Sequence, residues 1–273
     1  MQIKNIMSED LITIDKDQNL LDGLKLFRKN KISRLPVINT NKDNEKELVG
    51  IVSERDIAKK LGSSKYEKLS PSALHISSVM VKDVITVDET MNLVDVANIM
   101  LDKGIGSVPI ESDGIMVGIV SKADFVGICS GKAYEKYTVE DIMTNDIISV
   151  SIDERLVHAR RVILDNHIGR LLVTEDNELA GIITSKDIIR CLIDFKKHTP
   201  DKYQKSQIKN LYVSDLMSEN VETVSKDESV VDVANKMLET GYNGYPVVDE
   251  NDKVIGIITQ TDLLALVADL ESD

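Results

Sequence analysis

The strongest constraint on this chain is a pattern that returns four times along its 273 residues. An apolar-x-x-apolar-Met phrase occupies residues 3–7, 76–80, 139–143 and 213–217, ending on Met7, Met80, Met143 and Met217. A short stretch rich in β-branched residues follows each time, beginning around Leu11, Val84, Ile147 and Val221. Such residues suit a pleated, half-buried surface, so each stretch predicts a first strand. Apolar residues at helical spacing come next: Leu20, Leu24 and Phe27; Leu93, Ala97, Met100 and Leu101; Leu156, Ala159 and Ile163; Val230, Ala234, Met237 and Leu238. Each set predicts one amphipathic helix. Second strands are expected at 34–38, 107–110, 170–173 and 245–248. A third strand then ends in Gly-apolar-apolar-[Ser/Thr]-x-x-Asp, at 50–56, 118–124, 181–187 and 256–262. Each copy is thus a strand–helix–strand–strand–helix unit, too small to bury its sheet well alone.

The copies are related in pairs. Residues 94–101 (VDVANIML) nearly recur at 231–238 (VDVANKML), which ties copy two to copy four. Copies one and three share an arginine at the start of the second strand, Arg34 and Arg170. Met143 follows Met7 by 136 residues and Met217 follows Met80 by 137, so a pair of copies was the unit that duplicated. A boundary is expected near 131–137, with minor linkers at 62–74 and 199–211; the Lys-rich run 195–198 reads as solvated linker.

Composition excludes several functions. Acidic residues exceed basic ones by 13, so the field that a general nucleic-acid binder presents is absent. Aromatic residues make up 4%, with no Trp, which leaves little for stacking against bases. Cys129 and Cys191 cannot make a disulfide framework or a zinc cluster, and buried apolar roles are expected for both. His75, His158, His167 and His198 lack metal-ligand spacing, so no metal is expected. No apolar signal core and no run of 18 apolar residues occur; a cytoplasmic protein without membrane attachment is expected. Neither a Walker loop, a G-x-G-x-x-G motif nor a Ser-His-Asp order is found, so an enzyme is not expected.

The Asp-Ile-Met, Leu-Pro-Val and Gly-apolar-apolar-[Ser/Thr]-x-x-Asp phrases resemble the cystathionine-β-synthase (CBS) domain family, over nearly the whole chain. The resemblance implies an α+β fold of four CBS repeats, at about 1–62, 74–133, 137–198 and 211–273. Paired repeats would form two Bateman modules, 1–133 and 134–273, in a disc-like arrangement. Four-repeat members include the nucleotide-sensing γ subunit of AMP-activated protein kinase and its archaeal relatives. By that likeness the chain is a stand-alone regulator and a homodimer. Its expected ligand is AMP, ADP or ATP, with no required cofactor, and its expected partner is a regulated protein.

The site residues carry two readings each. Ser53, Ser121, Thr184 and Thr259 stand where a strand meets a helix, with Asp56, Asp124, Asp187 and Asp262 three residues on. That spacing makes a capping box, in which hydroxyl and acid satisfy free backbone N–H groups. Glu is the usual capping-box acid, however, and the four aspartates instead suit a fixed short reach to a ribose diol, the role the resemblance implies. Arg34 and Arg170 are either strand-end cations or phosphate ligands, whose guanidinium fork matches two oxygens. Ser107 and Gly244 replace them in copies two and four, where a nucleoside or no ligand is expected. For adenine, the expected slot involves Leu11, Val84, Ile147 and Val221, with room left by the small residues Ser33, Gly106 and Gly169, and with Asn243 at the fourth position. Another adenosyl ligand, such as S-adenosylmethionine, and a ligand-free assembly module remain alternatives. The repeating methionines read as core packing.

Overall fold

The computed structural model describes residues 1–40, 46–63, 69–176 and 178–271. Repeat 1 comprises β1 (Ile14–Asp15), α1 (Leu20–Asn30), β2 (Arg34–Thr40), β3 (Lys46–Ser53) and α2 (Glu54–Leu61). Repeat 2 comprises β4 (Val87–Asp88), α3 (Leu93–Asp102), β5 (Ser107–Ser112), β6 (Ile115–Ser121) and α4 (Lys122–Ile128). Repeat 3 adds a leading turn, α5 (Val139–Ile142), before β7 (Ser149–Ser151), α6 (Leu156–Asp165), β8 (Arg170–Glu175), β9 (Glu178–Thr184), α7 (Ser185–His198) and α8 (Asp201–Gln207). Repeat 4 comprises β10 (Val224–Ser225), α9 (Val230–Thr240), β11 (Gly244–Val248), β12 (Val254–Thr259) and α10 (Gln260–Leu270).

Every repeat forms one three-stranded mixed sheet: the first strand runs parallel to the second and the second antiparallel to the third. Helices α1, α3, α6 and α9 supply the crossovers that parallel pairing demands. Local chemistry sets their ends. Asn19, Asn92 and Ser229 accept backbone N–H groups in the first turns of α1, α3 and α9, and Gly241 closes α9 at φ 71°.

Three expectations need correction. The first strands are only two or three residues long and start later than the β-branched stretches, so Leu11, Val84, Ile147 and Val221 lie in irregular chain. Their side chains are half-buried, and none of the four joins a sheet ladder. Residues 195–198 are the last turn of α7, where Lys196, Lys197 and His198 complement the negative helix end. Leu238 is 49% exposed, because it lies about 80° around α9 from Val230, and Val233 takes its place beside Ala234 and Met237.

Backbone contacts group the chain into two compact units that cut across its halves. The first is Met1–Leu11, Ile85–Ile147 and Val221–Asp273; the second is Ile12–Val84 and Ile148–Asn220. In the first unit α10 packs on α3 and α4, around a core that includes Met100, Phe125, Tyr245, Leu263 and Val267. In the second unit α2 packs on α7, with Leu20, Phe27, Ile57, Ile163 and Ile188 in its core. There Arg160 donates to the carbonyls of Ala58 (2.8 Å) and Lys59 (2.7 Å), satisfying the end of α2.

The repeating methionines have a specific task. In the first unit Ser8 pairs through its backbone with Ile119, and Thr144 with Ile257; in the second, Val81 pairs with Ile51 and Ser218 with Ile182. Each leading segment thereby lies along the third strand of another repeat. A Cβ built on Gly50 would meet Met80 Sδ at 2.7 Å and the Val81 carbonyl oxygen at 2.9 Å; Gly118, Gly181 and Gly256 meet Met7, Met217 and Met143 in the same way. The glycine is required for this close approach. Gly50→Val is expected to cost about 1–3 kcal/mol through overpacking against a backbone oxygen, read as a lowered midpoint in chemical denaturation.

Candidate functional site

The four [Ser/Thr]-x-x-Asp turns are built alike. The carboxylate Oδ2 of each Asp accepts the backbone N–H of the capping residue: Ser53 to Asp56 at 2.9 Å, Ser121 to Asp124 at 2.6 Å, Thr184 to Asp187 at 3.0 Å and Thr259 to Asp262 at 2.7 Å. The same Oδ2 also accepts the capping hydroxyl in all four repeats. The capping box is therefore complete everywhere. It consumes one carboxylate oxygen and leaves the other. Among the described residues, Oδ1 of Asp56 and of Asp124 carries no hydrogen bond. Oδ1 of Asp187 faces Arg190 at 3.4 Å, and Oδ1 of Asp262 accepts the Thr144 hydroxyl at 2.9 Å.

Strand register brings the second-strand residues to these turns. Arg34 lies opposite Ser53, Ser107 opposite Ser121, Arg170 opposite Thr184 and Gly244 opposite Thr259. Directly opposed residues put their side chains on one face of an antiparallel pair. Arg34 therefore stands with Asp56 and Glu54, and among the described residues it makes no hydrogen bond and no ion pair within 4 Å. Burial, and then the like charge of Arg55, hold its guanidinium below the ordinary arginine value. Glu54 is pushed up, chiefly by burial, while Lys186, Ser33 and Arg34 act against that rise.

The small residues expected to leave room for a ring do a second job. The carbonyls of Ser33, Gly106, Gly169 and Asn243 accept the first helical N–H groups, of Glu54, Lys122, Ser185 and Gln260, at 3.0–3.2 Å. Gly106 is buried and Gly169 exposed. Sequence reasoning missed Glu54, Arg55 and Lys186. They fill the variable positions of the turn, and their meeting depends on repeats 1 and 3 sharing the second unit. Arg55 Nη1 donates to the His167 carbonyl at 2.5 Å, at the turn that leads into Arg170. Thr144 was also missed; Ser8, Val81 and Ser218 occupy its place in the other copies.

A cavity of about 600 Å³ opens beside Asp262 in the first unit, lined by Lys136, Tyr137, Asp141, Leu266 and Asp269 among others. Among the described residues, no three His, Cys, Asp or Glu side chains stand together as metal ligands, and no helix is long and apolar enough to cross a membrane. The four histidines are exposed and both cysteines buried.

Four equal turns on four equal sheets define a repeat protein, and comparison identifies the repeat. A family model described as "CBS domain" matches residues 3–63, 76–131, 139–194 and 213–269; the chain belongs to the CBS-domain family. Within it, protein MJ1225 of Methanocaldococcus jannaschii is 27% identical over 274 residues, spanning 96% of this chain and 97% of that protein. Its crystal structure, described as that of a candidate archaeal homologue of γ-AMPK, matches with a TM-score of 0.84 at 26% identity, covering 97% of this chain and 99% of the other. Protein MJ1426 of the same organism is 31% identical over 196 residues, 71% of this chain and 92% of that protein. A conserved protein from Pyrococcus horikoshii shares the fold, with a TM-score of 0.66 at 23% identity over 98% of this chain and 100% of that one.

Two outcomes follow from this geometry. Asp187→Ala is expected to lower stability by about 0.5–2 kcal/mol through loss of the cap, while Asp187→Asn, which keeps an acceptor, costs less; thermal melts compare them. Burial raises the Cys129 thiol to about 12 and that of Cys191 to about 11, so both stay protonated below those values. A thiol-specific chromogenic reagent at pH 8 should label neither until the chain is unfolded.

Proposed function

We propose that this CBS-domain chain is a regulatory protein that binds an adenine nucleotide, AMP, ADP or ATP, rather than an enzyme. The observation that carries this is Arg34: a half-buried arginine on the sheet face of Asp56 that, among the described residues, has no ion-pair partner within 4 Å. A desolvated cation beside a carboxylate with one unused oxygen suits a ligand that offers a phosphate and a cis-diol together. The description of MJ1225 as a γ-AMPK homologue supports the same reading. Arg170 gives repeat 3 the equivalent position, so repeats 1 and 3 take the phosphorylated ligand. The adenine is assigned to the irregular segments at Leu11, Val84, Ile147 and Val221. The module division at 133/134 rests on the duplication offset, and a homodimer is part of the proposal.

Signalling requires the ligand to prefer one conformation, or one partner-bound state, over another; equal affinity for both would shift nothing. Glu54 makes such a preference concrete. Its carboxylate is poorly solvated and faces Lys186, Arg34 and Asp187, so a phosphate drawing on these cations changes the balance that holds α2 against α7.

A second reading has its own observation: all four capping boxes are complete without a ligand, as expected of an assembly module that has lost its ligand. Titration calorimetry separates the two. At least one of AMP, ADP and ATP should bind. Arg34→Ala should weaken that binding about tenfold or more, the worth of a charged hydrogen bond. Asp56→Ala with Asp187→Ala should remove most of it. Neither heat nor a thermal shift with any of the three would overturn the nucleotide reading, and the same result with S-adenosylmethionine and adenosine would leave the assembly module.

A further inference from the structure

We propose that the Ser121–Asp124 turn of repeat 2 takes a nucleoside without a phosphate, and that Ser107 sets this preference. The proposal rests on the adenine-ligand reading above and extends it to a turn that lacks the arginine. Ser107 begins β5, directly opposite Ser121, so its side chain shares a sheet face with the hydroxyl that donates to Asp124. It is only 5% exposed, and among the described residues its Oγ has no hydrogen-bond partner. A buried hydroxyl without a partner costs free energy until something pairs with it, and nearly all such groups in folded proteins are paired. Here the neighbouring acceptor is already engaged: Asp124 Oδ2 takes both the backbone N–H and the hydroxyl of Ser121.

The charges around this turn point the same way. Burial raises the Asp124 carboxyl against the hydrogen bonds from Ser121, and among the described residues no cation adds to that opposition. The adjacent basic residue, Lys122, donates its ammonium to Thr261 Oγ1 at 2.7 Å. A phosphate dianion entering here would face a poorly solvated carboxylate without the guanidinium that repeat 1 provides. A neutral 5′ group avoids that repulsion, and a hydroxyl there can donate to Ser107 Oγ or accept from it. Asp124 Oδ1, which carries no hydrogen bond among the described residues, is left for the ribose diol. Repeat 4 lacks both features. Gly244 offers no side-chain hydroxyl, and Thr144 already occupies Asp262 Oδ1.

The test uses the full chain with adenosine and AMP as probes, titrated calorimetrically in an Asp56→Ala/Asp187→Ala background that silences repeats 1 and 3. This background should bind adenosine and leave AMP unbound at the same concentrations. Adding Asp124→Ala should abolish the adenosine heat. Ser107→Ala should weaken it about fivefold, as expected for one neutral hydrogen bond, and Ser107→Thr, which keeps the hydroxyl, should restore it. Thermal melts of each variant confirm folding. Adenosine binding that ignores Asp124→Ala, or AMP binding as tight as adenosine in this background, overturns the proposal. AMP titration of the native chain decides the phosphate reading of repeats 1 and 3 separately, so either idea can fail alone.

Discussion

A three-stranded sheet with two helices cannot cover its own strands, and much of the rest of this structure answers that shortage. Each third strand receives a leading segment from another repeat, bonded through its backbone and seated where a glycine lets methionine approach. A side chain at any of those glycines would collide with sulfur and carbonyl oxygen. The helices solve the other half of the problem. Alternate repeats pool their apolar faces, so that α10 meets α3 and α4 in one unit and α2 meets α7 in the other. Stability is thus a property of repeats in combination, as expected when single units are too small to bury a core.

The capping box joins this scaffold to the chemistry. It pins the first turn of each helix to the end of each third strand, and it does so with one oxygen of a carboxylate. In repeats 1 and 2 the cap leaves the second carboxylate oxygen without a hydrogen bond among the described residues. What differs between repeats is the residue across the sheet: arginine, serine, arginine, glycine. A common frame with one variable position is an economical way to give equivalent turns different electrostatics. The charge of −13 makes that position matter, since cations must be supplied locally.

Much of this was legible in the chain. The third strands, the capping turns, the arginine positions and the pairing of copies all follow from motifs whose mechanism is local: a hydroxyl and an acid three residues apart, or a β-branched run before a glycine. The first strands were misjudged because β-branched residues also suit half-buried irregular chain, and propensity does not say where a ladder begins. Leu11, Val84, Ile147 and Val221, proposed for the adenine, sit in irregular chain. Leu238 was misplaced because a helical stripe has a soft margin, and only the packed neighbours of α9 say where it ends.

By itself, the sequence determined the repeat unit, the family, the capped turns and the residues that could meet a diol and a phosphate, because each depends on spacings of four residues or fewer or on plain self-similarity. The tertiary structure alone decided which repeats share a core, that Glu54 meets Lys186, that Arg55 holds the turn before Arg170, and that Thr144 closes one aspartate while Ser107 keeps an unused hydroxyl. These contacts join residues up to 132 positions apart, and no local pattern encodes a distance of that kind. They arise from how apolar faces find cover, and the polar groups at the clefts are placed as a consequence.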